Sequence, residues 1–179
     1  MTEKANHFSK YVIAHLERKH NKNLFTCGIE ALDQYLKTKA GQDFKKNVAV
    51  TYVLTPSKSE QIIGYYTLSS IGIFTGELPE KIIKKLPRYP VLPGILLGRL
   101  AVDKNFQGRK IGSFLLVDAL KRSLIISKQI GIVAVIVEAK NNQAVKFYKH
   151  YGFIELFANK HKLFLPLSTI KKLESKLFQ

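Results

Sequence analysis

Apolar residues run along the chain in short blocks of two kinds: alternating or continuous runs, and stretches where they recur every three to four residues. KYVIAHL at 10–16 reads as a first strand. In GIEALDQYLKTKA, Ile29, Leu32, Leu36 and Ala40 share one face of a 3.6-residue period and predict an amphipathic helix. VAVTYVLT, the turn-like PSKSEQ and IIGYYTLSSIGIF then follow as strand, turn and strand. LPEKIIKKL predicts a short helix. PRYPVLPG holds three prolines. Proline fixes φ and gives up its N–H, so this stretch is expected as an extended connector outside any regular element.

ILLGRLAVD predicts another strand. GSFLLVDALKRSLIISKQI predicts a helix with Phe114, Leu115, Ala119 and Leu120 on one face, closed by Gly131. IVAVIVEA is almost continuously apolar, as a strand buried on both faces would be. NQAVKFYKHY predicts a short helix ended by Gly152, and FIELFA, NKHK and KLFLPL a last hairpin. STIKKLESKLF predicts a terminal helix with Ser168 as its N-cap and a narrow stripe of Ile170, Leu173 and Leu177. The order β–α–β–β–α–β–α–β–α–β–β–α makes an α/β domain with a mixed sheet. Residues 1–179 are expected to form a single domain, its core at 10–167 and a C-terminal helix or tail at 168–179.

Composition narrows the class. The 179 residues are 46% hydrophobic, which excludes a disordered chain and permits a real core. No apolar run is long enough to span a bilayer, and the polar start MTEKANHFSK lacks a signal-peptide core, so a cytoplasmic protein with no membrane partner is expected. Cys27 is the single cysteine, which excludes an internal disulfide and a cysteine-rich zinc site. The five histidines show no metal spacing, and no metal is expected. Twenty-nine Lys+Arg against thirteen Asp+Glu give a net charge of +16. That excess favours a polyanionic partner, whether nucleic acid, acidic protein or phosphate-rich cofactor. A solvated lysine-rich surface is the plainer alternative.

The stretch LGRLAVDKNFQGRKIGSFLL at 97–116 gives the charge a focus. It reads as strand, glycine-containing loop and helix start. The first N–H groups of a helix have no intrahelical partner, and the helix dipole adds positive potential there, so such an end holds anions. Gly108 and Gly112 allow close backbone approach, and Arg109 and Lys110 add charge beside them. The terminal Gly-Lys-Ser/Thr of a P-loop is absent, and the strand does not end in the Gly-x-Gly of a dinucleotide fold.

RLAVDKNFQGRKIGSFLL resembles the acetyl-CoA-binding stretch of GNAT-type N-acetyltransferases, whose loop is Gln/Arg-x-x-Gly-x-Gly/Ala. Gln107 and Gly112 match it, and Lys110 stands where the family has its central glycine. NNQAVKFYKHYGF resembles the family's second block through Asn141, Ala144, Phe147, Tyr148, Gly152 and Phe153. LFTCGIEALDQYL, IIGYYTLSS, LLGRLAVD and KLFLPL resemble, in order, blocks of the TacT-like and AtaT-like GNAT toxins of toxin–antitoxin pairs. The resemblance covers 10–167.

The resemblance implies a GNAT acyl-CoA N-acyltransferase fold, a single domain whose central strands at 97–102 and 132–137 splay apart around acetyl-CoA. It implies that backbone groups of Leu100, Ala101 and Val102 hold the pantetheine arm. The N–H groups of Gln107, Gly108, Arg109, Lys110, Ile111, Gly112 and Ser113 would hold the pyrophosphate, and Asn141 belongs to the same cofactor set. Tyr148 takes the family's place of general acid, giving a proton to the departing CoA sulfur. Helical spacing puts Phe147 and Tyr151 together and turns Tyr148 elsewhere. Glu138 could hold a water but could equally begin a turn. Cys27, with no base near it in the sequence, reads as a small buried residue. Lysine keeps the N–H that a phosphate needs, and a Lys110 already inside the first helical turn would need no glycine.

The function implied is transfer of acetyl to the amino group of aminoacyl-tRNA, which blocks translation. Arg99, Lys140 and Lys146 would then touch RNA phosphates. A ribbon-helix-helix antitoxin with an extended tail and a homodimer complete the implied partners. The alternatives are a GNAT enzyme acting on a protein or small-molecule amine, and a non-catalytic CoA- or RNA-binding domain.

Overall fold

A computed structural model describes residues 10–177, with side chains through residue 174. Seven strands hydrogen-bond in the order β1-β2-β3-β4-β5-β7-β6. They are β1 Tyr11–His15, β2 Val50–Pro56, β3 Gly64–Phe74, β4 Val91–Val102, β5 Ala134–Glu138, β6 Ile154–Leu156 and β7 Asn159–Pro166. β4 and β5 are parallel, whereas β1–β2, β5–β7 and β6–β7 are antiparallel, so the sheet is mixed as expected. The helices are α1 Glu30–Gln34, α2 Ala40–Lys45, α3 Glu80–Ile83, α4 Ile111–Ile126, α5 Asn142–His150 and α6 Leu167–Leu177. Between α1 and α2 the predicted helix continues through a π-helical turn at Tyr35–Lys39.

The chain divides into two compact units. The first runs to Thr67 and adds Arg99–Leu116. Its core joins Phe25, Leu32, Tyr35 and Leu36 to Val53, Ile62, Tyr65 and Ala101. Leu32, Leu36 and Ala40 of the predicted helical stripe thus face this core, whereas Ile29 precedes α1 and is exposed. Gly64 is placed by packing. A Cβ there would stand 2.8 Å from Leu115 Cδ1 and 3.2 Å from the Ala101 carbonyl, so glycine lets the first turns of α4 lie close on the strands. The second unit comprises Leu68–Gly98 and the chain from Val117 onward. Ile73, Leu92, Ala134, Ile136, Leu156 and Phe164 form its core. Ala134–Val137 are all buried, as their continuous apolar run required.

Four local expectations need correction. The strand β4 starts at Val91 and takes in Pro93, so the end of PRYPVLPG is regular strand. Proline is tolerated there because Pro93 needs only its carbonyl, which accepts from the Val133 N–H. The helix α4 stops at Ile126, before Gly131, and closes through a series of tight turns at 127–130. In the last hairpin, NKHK begins β7 and the turn is Phe157–Ala158. The helix α6 begins at Leu167, whose N–H donates to Val133, so Ser168 lies inside the helix and is not its cap. Of its stripe, Ile170 is fully buried and Leu173 half-buried, and the Leu177 side chain lies outside those described.

Candidate active site

The cofactor loop is built wholly within the first unit. Asp103 ends β4 and caps a 3-10 turn at Lys104–Phe106, its carboxylate accepting from the Asn105 N–H at 2.9 Å. The same carboxylate accepts from the Thr26 N–H at 3.1 Å. Gln107 is held harder than its sequence position implied. Its Nε2 donates to the Val102 carbonyl and to the Cys27 carbonyl, both at 3.0 Å. Its side chain therefore ties the loop to β4 and to the FTCG turn, leaving its backbone N–H for an anion.

That turn is itself anchored. Asp33 accepts from the Cys27 N–H at 2.8 Å and from the Thr26 hydroxyl at 2.9 Å. Burial works to raise the Asp33 carboxyl, but the hydrogen bonds from Cys27 and Thr26 outweigh it and hold the group below the usual carboxylate range. Burial, aided by the Asp33 contact, pushes the Cys27 thiol up to about 11. A thiol that stays protonated is no nucleophile. The block LFTCGIEALD thus fixes the floor beneath the cofactor loop.

Lys110 departs from expectation. The helix α4 begins at Ile111, so residue 110 precedes it, and its φ is +61°, in the left-handed region. The Lys110 carbonyl accepts the first helical bond, from Phe114 N–H at 3.1 Å. Lys110 occupies a glycine conformation with a lysine, because the chain must reverse there to aim its N–H groups. Gly108, at φ +77°, does the same two residues earlier. Alternation of this kind makes a concave nest of N–H groups. The N–H groups from Gln107 to Ser113 donate to no group among the described residues. Arg109 and Lys110 are exposed, with the Arg109 guanidinium 5.4 Å from the Phe106 ring centre.

β4 presents its end to the same loop. Its pairing with β5 covers Gly94–Leu97, whereas the strand runs on through Leu100, Ala101 and Val102. Arg99, half-buried, lays its guanidinium 3.4 Å from the centre of the Tyr35 ring. Tyr35 in turn donates to Asp43 at 2.9 Å, and burial together with that bond raises its phenol.

Tyr148 belongs to the second unit, on α5. Asn141 caps that helix, accepting from the Ala144 N–H at 2.8 Å, so its Oδ1 is committed to the fold. Gly152, at φ +88°, reverses the chain after it. Tyr148 is 7% exposed, while Phe147 and Tyr151 are half-buried and 5.3 Å apart, and the Phe147 ring also meets that of Tyr148 edge-on at 5.2 Å. The Tyr148 ring packs against Phe153 at 5.4 Å. Its hydroxyl makes no hydrogen bond among the described residues. Burial alone drives the phenol well above its usual value, so it remains protonated at every physiological pH. Glu138, Lys140 and Lys146 are exposed. No group of three or more His, Cys, Asp or Glu side chains able to hold a metal occurs among the described residues, and no helix among them is long and apolar enough to cross a membrane.

Residues 49–155 match the acetyltransferase (GNAT) domain family. A probable toxin TacT from Sinorhizobium fredii is 31% identical over 173 residues, covering 92% of this chain and 96% of that protein. A structure of AtaT complexed with acetyl-methionyl-tRNAfMet is 34% identical, covers 91% of this chain and 98% of its own, and superposes with a TM-score of 0.85. AtaTR bound with acetyl-CoA is 34% identical over 92% of this chain and 98% of its own, with a TM-score of 0.81. With its mixed sheet, its N–H nest before α4 and its buried tyrosine on α5, the chain belongs to the GNAT acetyltransferases, in the branch of the TacT- and AtaT-like toxins.

Proposed function

We propose that the chain, working as one catalytic domain, transfers acetyl from acetyl-CoA to the α-amino group of aminoacyl-tRNA and so acts as a translation-blocking toxin. The observation that carries the reading is that the chain holds two chemistries, one in each unit. One is a nest of undonated N–H groups from Gln107 to Ser113, suited to the pyrophosphate of CoA. The other is a buried, protonated phenol at Tyr148, suited to giving up a proton. The part of β4 that β5 does not pair, Leu100 to Val102, offers backbone groups to the pantetheine arm and to the thioester carbonyl.

In the reaction the neutral amine nitrogen attacks the thioester carbonyl carbon. An N–C bond forms, the C–S bond breaks, and the departing sulfur takes its proton from Tyr148. The attacking nitrogen, positively charged once its bond to carbon forms, sheds one proton to give the amide, and that proton restores the tyrosinate directly or through solvent. The α-amino group of an aminoacyl ester has a lower pKa than lysine, so the amine reaches its neutral form without a dedicated base. The tRNA acceptor is favoured by the +16 charge, which supplies many phosphate contacts, with Arg99, Lys140 and Lys146 as candidates. AtaT has been solved with the C-terminus of its antitoxin AtaR, and an acidic antitoxin tail would find the same basic surface here.

The test is acetyl transfer from labelled acetyl-CoA to charged tRNA, with Tyr148→Phe as control. Wild type transfers label to the charged tRNA, and Tyr148→Phe loses about 10²- to 10⁴-fold in kcat with little change in acetyl-CoA binding. Labelling of proteins but not tRNA sinks the tRNA reading. An undiminished kcat in Tyr148→Phe removes the acid role.

A further inference from the structure

Arg99 differs from Lys140 and Lys146, the other candidate RNA contacts. Those two are exposed, whereas Arg99 is half-buried. A cation drawn partly out of water normally pairs with a carboxylate. Arg99 forms no ion pair, and its N–H groups donate to nothing among the described residues. Asp43, the carboxylate at the far end of the Tyr35 ring, accepts from the phenol at 2.9 Å instead.

What holds Arg99 is that ring. Its guanidinium carbon lies 3.4 Å from the ring centre. An edge-on approach at this distance would drive a nitrogen into the ring, so the guanidinium plane lies along the ring face. The ring itself is fixed. Tyr35 is 5% exposed, packs among Phe25, Leu32, Leu36 and Tyr65, and has its hydroxyl tied to Asp43. A stacked guanidinium keeps its in-plane N–H groups at the edge, where they form the fork that matches two oxygens of a phosphate. None of its nitrogens is buried without a partner, so that edge is open to solvent.

The face on which the fork lies separates it from the N–H nest. Side chains alternate along a strand, so Arg99 and Ala101 share one face of β4. Ala101 packs with Leu32 and Tyr65, and the Tyr65 hydroxyl donates to the Leu32 carbonyl of α1 at 2.8 Å. The adjacent Gly64 looks the other way, toward Leu115 and Ile111 of α4. Thus α1 and α4 cover opposite faces. Arg99 is on the α1 face, and the nest is at the start of α4. The phosphate that suits Arg99 is a different one from the pyrophosphate that suits the nest. We infer that Arg99 is a preset two-pronged clamp for one phosphate of the acceptor RNA, and that Tyr35, braced by Asp43, is the positioning residue that sets it. The inference rests on the tRNA reading above.

Steady-state kinetics on the full chain test it. Arg99→Lys keeps the charge and gives up the plane. It raises KM for charged tRNA about tenfold, holds kcat within about twofold and leaves KM for acetyl-CoA unchanged. Arg99→Gln lowers the slope of log Kd for deacylated tRNA against the logarithm of salt concentration by about 0.7–0.9, the share of one phosphate. Tyr35→Leu, or Tyr35→Met where the smaller side chain does not fold, raises KM for charged tRNA about fivefold. In an Arg99→Gln background it does so by less than about twofold, because nothing is left to position. Tyr35→Phe keeps the ring and restores most of the loss. A KM for charged tRNA within about twofold of wild type in Arg99→Lys, or a rise in KM for acetyl-CoA in its place, overturns the clamp. An equal penalty for the Tyr35 variant in both backgrounds, as a merely structural tyrosine would give, overturns the positioning role. If the wild type fails to acetylate charged tRNA at all, the proposed function falls and the clamp with it.

Discussion

Replacing Lys110 with glycine should make the protein more stable. Lys110 holds φ at +61°, where an L-residue pays about 1–2 kcal/mol for the approach of its Cβ to the following carbonyl. Glycine carries no such cost, but its freer unfolded chain takes back about 0.4–1 kcal/mol. The net gain is about 0.5–1 kcal/mol, or about 1–4 °C in Tm for a chain of this length. Lys110→Ala is the control, because it removes the side chain and keeps the Cβ. Its Tm should stay with wild type while that of Lys110→Gly rises, by scanning calorimetry without ligand. Acetyl-CoA affinity, measured by titration calorimetry, should change by less than about fivefold in both, because the backbone N–H is retained and an exposed charge contributes at most about 1 kcal/mol. The reasoning fails if Lys110→Gly melts no higher than Lys110→Ala. It also fails if glycine abolishes acetyl-CoA binding, for then the lysine side chain itself holds the phosphate.

Gly112→Leu should weaken acetyl-CoA about tenfold or more, a loss of about 1.4 kcal/mol, because a side chain in the first turn of α4 obstructs the backbone's approach to phosphate; titration against Lys110→Gly checks the ranking. Gln107→Ala removes two bonds that tie the loop to Val102 and Cys27, and should cost about 1–2 kcal/mol in urea unfolding and raise the KM for acetyl-CoA. The raised Tyr148 phenol implies that kcat does not fall between pH 8 and about 10, where an ordinary tyrosine begins to ionise; a decline that Tyr148→Phe abolishes would contradict this. Burial lowers the pKa of His20, whose Nδ1 accepts from the Glu17 N–H. The unfolded state therefore takes up the proton first, so stability is fully present above about pH 6.5 and is lost as the pH falls toward the folded value. His20→Asn should flatten that slope in unfolding experiments run from pH 7.5 downward.

The pattern of apolar positions was enough to read the elements, because period 2 and period 3.6 follow directly from which face is buried. It misplaced boundaries where a residue's usual role was overridden by a neighbour. Pro93 was tolerated in a strand that needed only its carbonyl, and Ser168 lay inside a helix whose start was set by a backbone bond from Leu167 to Val133. Within the candidate site, local motifs located the N–H nest and Tyr148. They could not reveal that Gln107 reaches the Cys27 carbonyl, a contact between residues 80 positions apart. Nor could they reveal that the Asp103 carboxylate reaches the Thr26 N–H, a contact between residues 77 positions apart. Such facts depend on what packing brings together, and composition carries no trace of them.

Lys110 lies between these cases. The mismatch with the family loop marked the position, and glycine in such a pattern usually signals a backbone that must turn left-handed. The lysine does not lie inside the first helical turn: α4 begins one residue later, and residue 110 keeps the left-handed φ. The loop kept its geometry and absorbed the strain. It could do so because the nest is defined from outside, by Gln107 on Val102 and Cys27 and by Asp103 on Thr26 and Asn105. A strained residue persists only where its surroundings over-determine it. On that logic Lys110→Gly and Gln107→Ala should be non-additive: once glycine removes the strain, the clamp has less to resist, and losing Gln107 should cost less in the glycine background than in wild type. A double-mutant cycle in urea giving strict additivity would mean that the loop holds its shape without the clamp.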